Sequence, residues 1–71
     1  MTRAAGAAAH VARTSYGRLV SLLAASTRDV ALAEDALQGA LEEALRRWPA
    51  DGVPDRPAAW ILTVARNRQR D

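Results

Sequence analysis

Apolar residues recur at Ala12, Tyr16, Leu19, Val20 and Leu23. Offsets of four, seven, eight and eleven mark one face of an α-helix, which predicts a helix over about 8–25 behind a frayed alanine-rich lead-in. Gly17 falls mid-helix, at a cost of about 1 kcal/mol relative to alanine, and would permit a close helix crossing. "STRD", Ser26 to Asp29, punctuates the chain. Asp29 or Thr27 can cap the next helix by accepting a backbone N–H. The clearest periodicity follows: Leu32, Ala33, Ala36, Leu37, Ala40, Leu41, Ala44, Leu45 and Trp48, a helix over 29–48. Pro49 cannot continue the ladder and disfavours helical geometry at Trp48, so 49–56 reads as a loop. Asp55 is placed to cap a third helix over 57–70, with Pro57 in its first turn, where no N–H is needed. Trp60, Ile61, Val64 and Ala65 form the apolar stripe of that helix. Repeats and strand signals are absent, so the expected fold is all-α, a three-helix bundle.

Composition narrows the class. Seventy-one residues make one small domain, which buries only ~60% of the surface of its unfolded chain. The apolar share is 49%, but alanine dominates and phenylalanine is missing. Such a core has thin side chains, relies on close helix approach and gains from a partner. The absence of cysteine excludes disulfides and thiolate metal sites. The start "MTRAAGAAAHVA" lacks the leucine-rich core of a signal peptide, and no run approaches the ~20 apolar residues of a membrane span. The expected location is cytoplasmic, with no membrane partner.

Net charge is only +2, but the signs are segregated. Acids gather between Asp29 and Glu43; bases gather at Arg46, Arg47 and Arg66 to Arg70. That pattern suits two surfaces for two partners, or charges that merely complement helix dipoles. Catalysis finds little support. His10 stands alone in the lead-in, no serine has a base partner, and Gly52 is a single glycine in a proline loop. Glu34, Asp35, Glu42 and Glu43 are expected on an outer helix face, ionised and without a histidine for a metal. The expectation is no catalytic residue, no metal and no cofactor.

Binding is better supported. Glu34, Asp35, Gln38 and Glu42 share one helix face, bordered by Leu37 and Leu41. The strip fits a basic partner helix, or is a solvated face, although no base interrupts it between Asp29 and Arg46. On helix three, Arg66, Asn67 and Arg70 share a face. Arginine and asparagine can hydrogen-bond base edges, and arginine also holds phosphates. Arg56 brackets the same helix at its start.

Two linked stretches, "DVALAEDALQGALEEALRRW" and "RPAAWILTVARNRQRD", resemble region 2 of bacterial sigma factors, most closely the extracytoplasmic-function group. The matching positions are Asp29, Ala33-Glu34-Asp35, Leu37 and Gln38, then Trp60-Ile61, Ala65-Arg66-Asn67 and Asp71; the likeness spans about Tyr16 to Asp71. The loop also resembles a subgroup with an extra C-terminal domain. The resemblance implies a transcription initiation factor, not an enzyme, with a bundle of the sigma region 2 type. It implies that helix 29–48 docks on the β′ clamp helices of core RNA polymerase through Asp35 and Gln38, with Glu34, Leu41 and Glu42 beside them. Gly39 departs from the pattern, since an acid is common there, which implies a missing contact and lower affinity.

The same resemblance implies that the loop and helix three recognise and help melt the −10 promoter element, with a non-template-strand base flipped into the loop. Arg66, Asn67 and Arg70 would meet DNA, with Thr63 one turn earlier and Trp60 at a duplex junction or in the core. The loop lacks an aromatic residue, so Asp51, Asp55 and Arg56 would hold the base by hydrogen bonds. An anti-sigma partner is compatible with these surfaces. The family's second DNA-binding domain, region 4, would follow Asp71 and is expected to be absent from this chain. Two other readings stay open. One is a stand-alone helical DNA-binding regulator, against which the long second connection argues. The other is a protein-interaction bundle that touches no nucleic acid.

Overall fold

The structure is a computed structural model that describes residues Arg3–Arg70. It contains three helices, α1 (Arg3–Thr27), α2 (Val30–Asp51) and α3 (Pro57–Arg70), and no strand among the described residues. The all-α three-helix bundle is therefore the fold. None of these helices is long and apolar enough to cross a membrane.

α1 starts at Arg3, well before the expected Ala8. The reason is burial: Ala4, Ala8 and Val11 pack into the core. The alanine-rich lead-in is thus the first two turns of the helix, covering the end of the bundle where Trp48 and Val53 lie. Gly17 faces open space, so no close crossing occurs there. α1 ends at Thr27 with Arg28 in the left-handed region, φ 60°, its N–H donating to the Ala24 carbonyl at 2.6 Å. Only Arg28 and Asp29 separate α1 from α2. Asp29 is the N-cap of α2, its carboxylate accepting the Leu32 N–H at 3.0 Å. Thr27 plays a supporting part, its hydroxyl accepting the Asp29 N–H at 3.3 Å.

α2 runs through Pro49 to Asp51, three residues past the expected stop. Pro49 gives up its own bond to the Leu45 carbonyl, but Trp48 is only 2% exposed and its packing holds the turn helical. Gly52 then closes the helix, with φ 91° and its N–H on the Trp48 carbonyl at 2.8 Å. The loop shrinks to residues 52–56. The cap position of α3 falls on Arg56, whose carbonyl accepts the Trp60 N–H at 3.1 Å, and not on Asp55.

Of the thirteen buried apolar residues described, seven are alanine, which brings the helix axes close together. α2 supplies the centre with Ala33, Ala36, Leu37, Ala40, Ala44 and Trp48. α3 adds Ile61 and Ala65, while Trp60 and Val64 pack against them half-buried. α3 runs parallel to α1. Pro57 and Ala58 lie beside Ala7 and Val11 at one end. At the other, the Gln69 amide donates to the Leu23 carbonyl at 3.0 Å and to the Ser26 hydroxyl at 3.2 Å.

Candidate functional site

On α2, Glu34, Asp35, Gln38 and Glu42 are exposed along one face and Leu41 is half-buried at its margin, while Leu37 is buried beneath. The strip has an edge on each side. Toward α1, the Tyr16 hydroxyl donates to Glu34 Oε2 at 3.4 Å. Toward α3, Asp35 shares a cavity wall with Arg68 and Gln69. Leu45, one turn beyond Leu41, is 47% exposed and extends the strip with an apolar side chain. The periodicity assigned Leu45 and Leu32 to the core. The signal against this was the width of the apolar set, which covers more than one helix face.

Glu43 does not belong to the outer face. Its side chain is mostly covered and sits among three guanidinium groups: Arg47 at 3.1 Å, Arg68 at 3.6 Å and Arg46 at 4.0 Å. Arg68 reaches it by crossing directly over Gly39. A Cβ at Gly39 would lie 2.6 Å from Arg68 Cζ and 2.7 Å from Nη2. The glycine therefore makes room for a cation from α3 at the edge of the α2 strip. In an Arg68→Ala background, Gly39→Ala should raise stability by about 1 kcal/mol through helix propensity. With Arg68 present the gain should be smaller, because the guanidinium must move. A thermal-melting double-mutant cycle reads the difference, and equal gains in both backgrounds would show that Arg68 does not occupy this place.

The three terminal arginines of the sequence thus part company. Arg68 faces α2, whereas Arg66 and Arg70 line a cavity with Ser26 and Thr27 on the α1 side. Arg70 donates to Asn67 Oδ1 at 2.7 Å, which holds the pair together and leaves the Asn67 amide N–H groups to donate outward. Thr63 is exposed, but its hydroxyl donates to the Ala59 carbonyl at 3.0 Å, so it is left to act as an acceptor. Asp55 and Arg56 are exposed in the loop. Asp51 stands apart from them, in the last turn of α2, ion-paired to Arg47 at 3.6 Å. Trp60 packs edge-on to Trp48, ring centroids 5.3 Å apart at 66°, with the Arg47 guanidinium 5.5 Å above its ring. Its surroundings are those of a structural residue. No cluster of three metal-ligating side chains forms among the described residues.

An acidic strip and a basic pair thus lie on separate helices of one small bundle. The family model for sigma-70 region 2 matches residues 11–71. The chain belongs to that family. Sigma-70 region 2 is a non-enzymatic transcription-initiation domain that in general binds RNA polymerase and recognises the −10 promoter element. The match begins at Val11, so the first two turns of α1, which cover Trp48, precede it. An uncharacterized protein of Rhizobium meliloti (strain 1021) is 50% identical over 40 residues, 56% of this chain. The chain spans about 10% of that relative's length. No solved structure matches. Within the family frame, α2 carries the strip and α3 the Arg66–Asn67–Arg70 face. Sequence reasoning missed the Gly39–Arg68–Glu43 contact, because it joins residues far apart in the chain.

Proposed function

We propose that this chain acts as region 2 of an extracytoplasmic-function sigma factor. The α2 strip of Glu34, Asp35, Gln38, Leu41 and Glu42 docks on the basic clamp helices of the polymerase β′ subunit. The loop residues Asp55 and Arg56, with Thr63, Arg66, Asn67 and Arg70 of α3, engage the non-template strand of the −10 element. The observation that carries the reading is the division of charge: Arg68 is drawn away to Glu43, so Arg66 and Arg70 remain as a basic pair with no acid lining their cavity among the described residues. Flipped-base capture then falls to Asp55 and Arg56, since Asp51 is engaged with Arg47. At Gly39 the strip meets a guanidinium rather than a carboxylate, which lowers affinity for a basic partner. An anti-sigma factor covering either face would block the function.

The direct test is a pull-down of a β′ clamp-helix fragment by the purified chain. Retention at micromolar concentrations supports the reading. Failure to retain it, together with binding to duplex DNA alone, would favour a stand-alone DNA-binding regulator. For the DNA face, Arg66→Ala should weaken binding to −10 single strands. It should also flatten the slope of log K against log salt by about 0.7, the share of a single neutralised phosphate. An unchanged slope would remove Arg66 from the DNA path.

A further inference from the structure

Between α1 and α3 runs a groove, bridged at its far end by Gln69, whose amide donates to the Leu23 carbonyl and the Ser26 hydroxyl. Its successive sections hold about 320, 230 and 320 Å³. Ser15 and Ala58 wall both of the first two, so these form one channel, and Arg66 lines the third, one turn beyond Leu62. The middle is apolar, with Leu22, Ala58 and Leu62 in its walls, and Leu22 is 41% exposed. Neither α1 nor α3 contains an acidic residue. Arg18 walls the middle, and Arg66 and Arg70 wall the end. None of these three arginines has an ion-pair partner among the described residues.

We propose that this groove seats an amphipathic helix of a partner protein, apolar on the seated face and acidic along its edges. An apolar channel rimmed by cations matches that occupant in both respects. The span from Ala58 to Arg70 is about 18 Å, room for roughly three turns of helix. Apolar anchors at i, i+3 or i+4 and i+7 would fill it in the helix-in-groove mode. Ala58 and Ala59 let a second backbone come close. A nucleic-acid strand suits the groove less well, because His10 at its near end is the one aromatic ring among the lining residues, and the apolar middle offers a base nothing to stack on. The groove lies on the side of α3 away from the polymerase strip, so the inference stands apart from the reading of α2. Its far end shares Arg66 and Arg70 with the DNA face, so a seated helix and a DNA strand compete there.

The probe is a helix-stapled 14-residue peptide with a leucine and alanine stripe flanked by glutamates. Its counterpart replaces every glutamate by lysine. Fluorescence anisotropy should show saturable micromolar binding of the acidic peptide and none of the lysine peptide. Leu22→Asp and Arg18→Glu should each weaken binding at least tenfold. Both positions are exposed, so the variants should melt like the parent and still retain the β′ clamp fragment if the parent does. No saturable binding of the acidic peptide overturns the proposal. Equal binding by both variants also overturns it, since attraction would then come from the terminal arginines alone. A single-stranded oligonucleotide that binds with the same dependence on Leu22 and Arg18, where the peptide does not, overturns it in favour of nucleic acid.

Discussion

Asp35→Arg should weaken retention of the β′ clamp-helix fragment by roughly 30- to 1000-fold, about 2–4 kcal/mol. Asp35 is exposed on the α2 strip and shares a cavity wall with Arg68. Reversal therefore does two things. It removes an attractive partner for a basic surface, and it sets a second cation beside the one already present at that edge. At ~4 Å and an effective dielectric near ~20, a single charge pair amounts to about 4 kcal/mol, so losing one attraction is enough to account for the lower figure. Folding should survive, because arginine has higher helix propensity than aspartate at an exposed site. Gln38→Ala, which removes only a neutral hydrogen-bonding group, should cost fivefold or so, about 1 kcal/mol. Asp35→Arg with unchanged retention and unchanged melting would mean that the strip is a solvated face.

The existence of each helix was legible because its causes are local. Asp29 lies three residues before the N–H it caps, and Ala33, Ala36, Leu37, Ala40 and Ala44 repeat at helical spacing. The ends were less legible. Pro49 is a breaker by local rules, yet the burial of Trp48 against α1 and α3 outweighs it. Alanine in the lead-in carries little hydrophobic signal, and only its packing against distant core residues makes it part of α1. The site divides in the same way. The acidic strip and the Arg66–Asn67–Arg70 face could be read from three- and four-residue spacing. Glu43 reads as another outer acid until Arg68, twenty-five residues on, is seen to lie across Gly39. The alternation of Arg66, Arg68 and Arg70 holds a clue. Steps of two residues turn a helix by about 200°, so neighbours in that series must face opposite sides.

Trp48→Ala should destabilise the domain by about 3–5 kcal/mol, the cost of truncating a large buried aromatic side chain. A domain of this length has on the order of 4–11 kcal/mol in total. The variant should therefore melt roughly 15–30 °C below the parent or be partly unfolded at 37 °C. The ring sits where all three helices meet: Arg3 and Ala4 of α1 line the same cavity, and Trp60 of α3 packs against its edge. The edge-to-face pair alone contributes about 0.5–1.5 kcal/mol beyond area burial. Trp48→Phe is the informative contrast. It keeps an aromatic ring at the junction and deletes the Nε1–H, a buried donor with no acceptor among the described residues, so its cost should stay below about 1.5 kcal/mol. If Trp48→Ala melts within a few degrees of the parent, Trp48 does not clamp the last turn of α2, and the helix would then end at Pro49 as local propensity dictates. If it melts early, polymerase and DNA binding should fall together. Asp35→Arg and Arg66→Ala should each weaken one and spare the other, because the two proposed faces share a core but no binding residue.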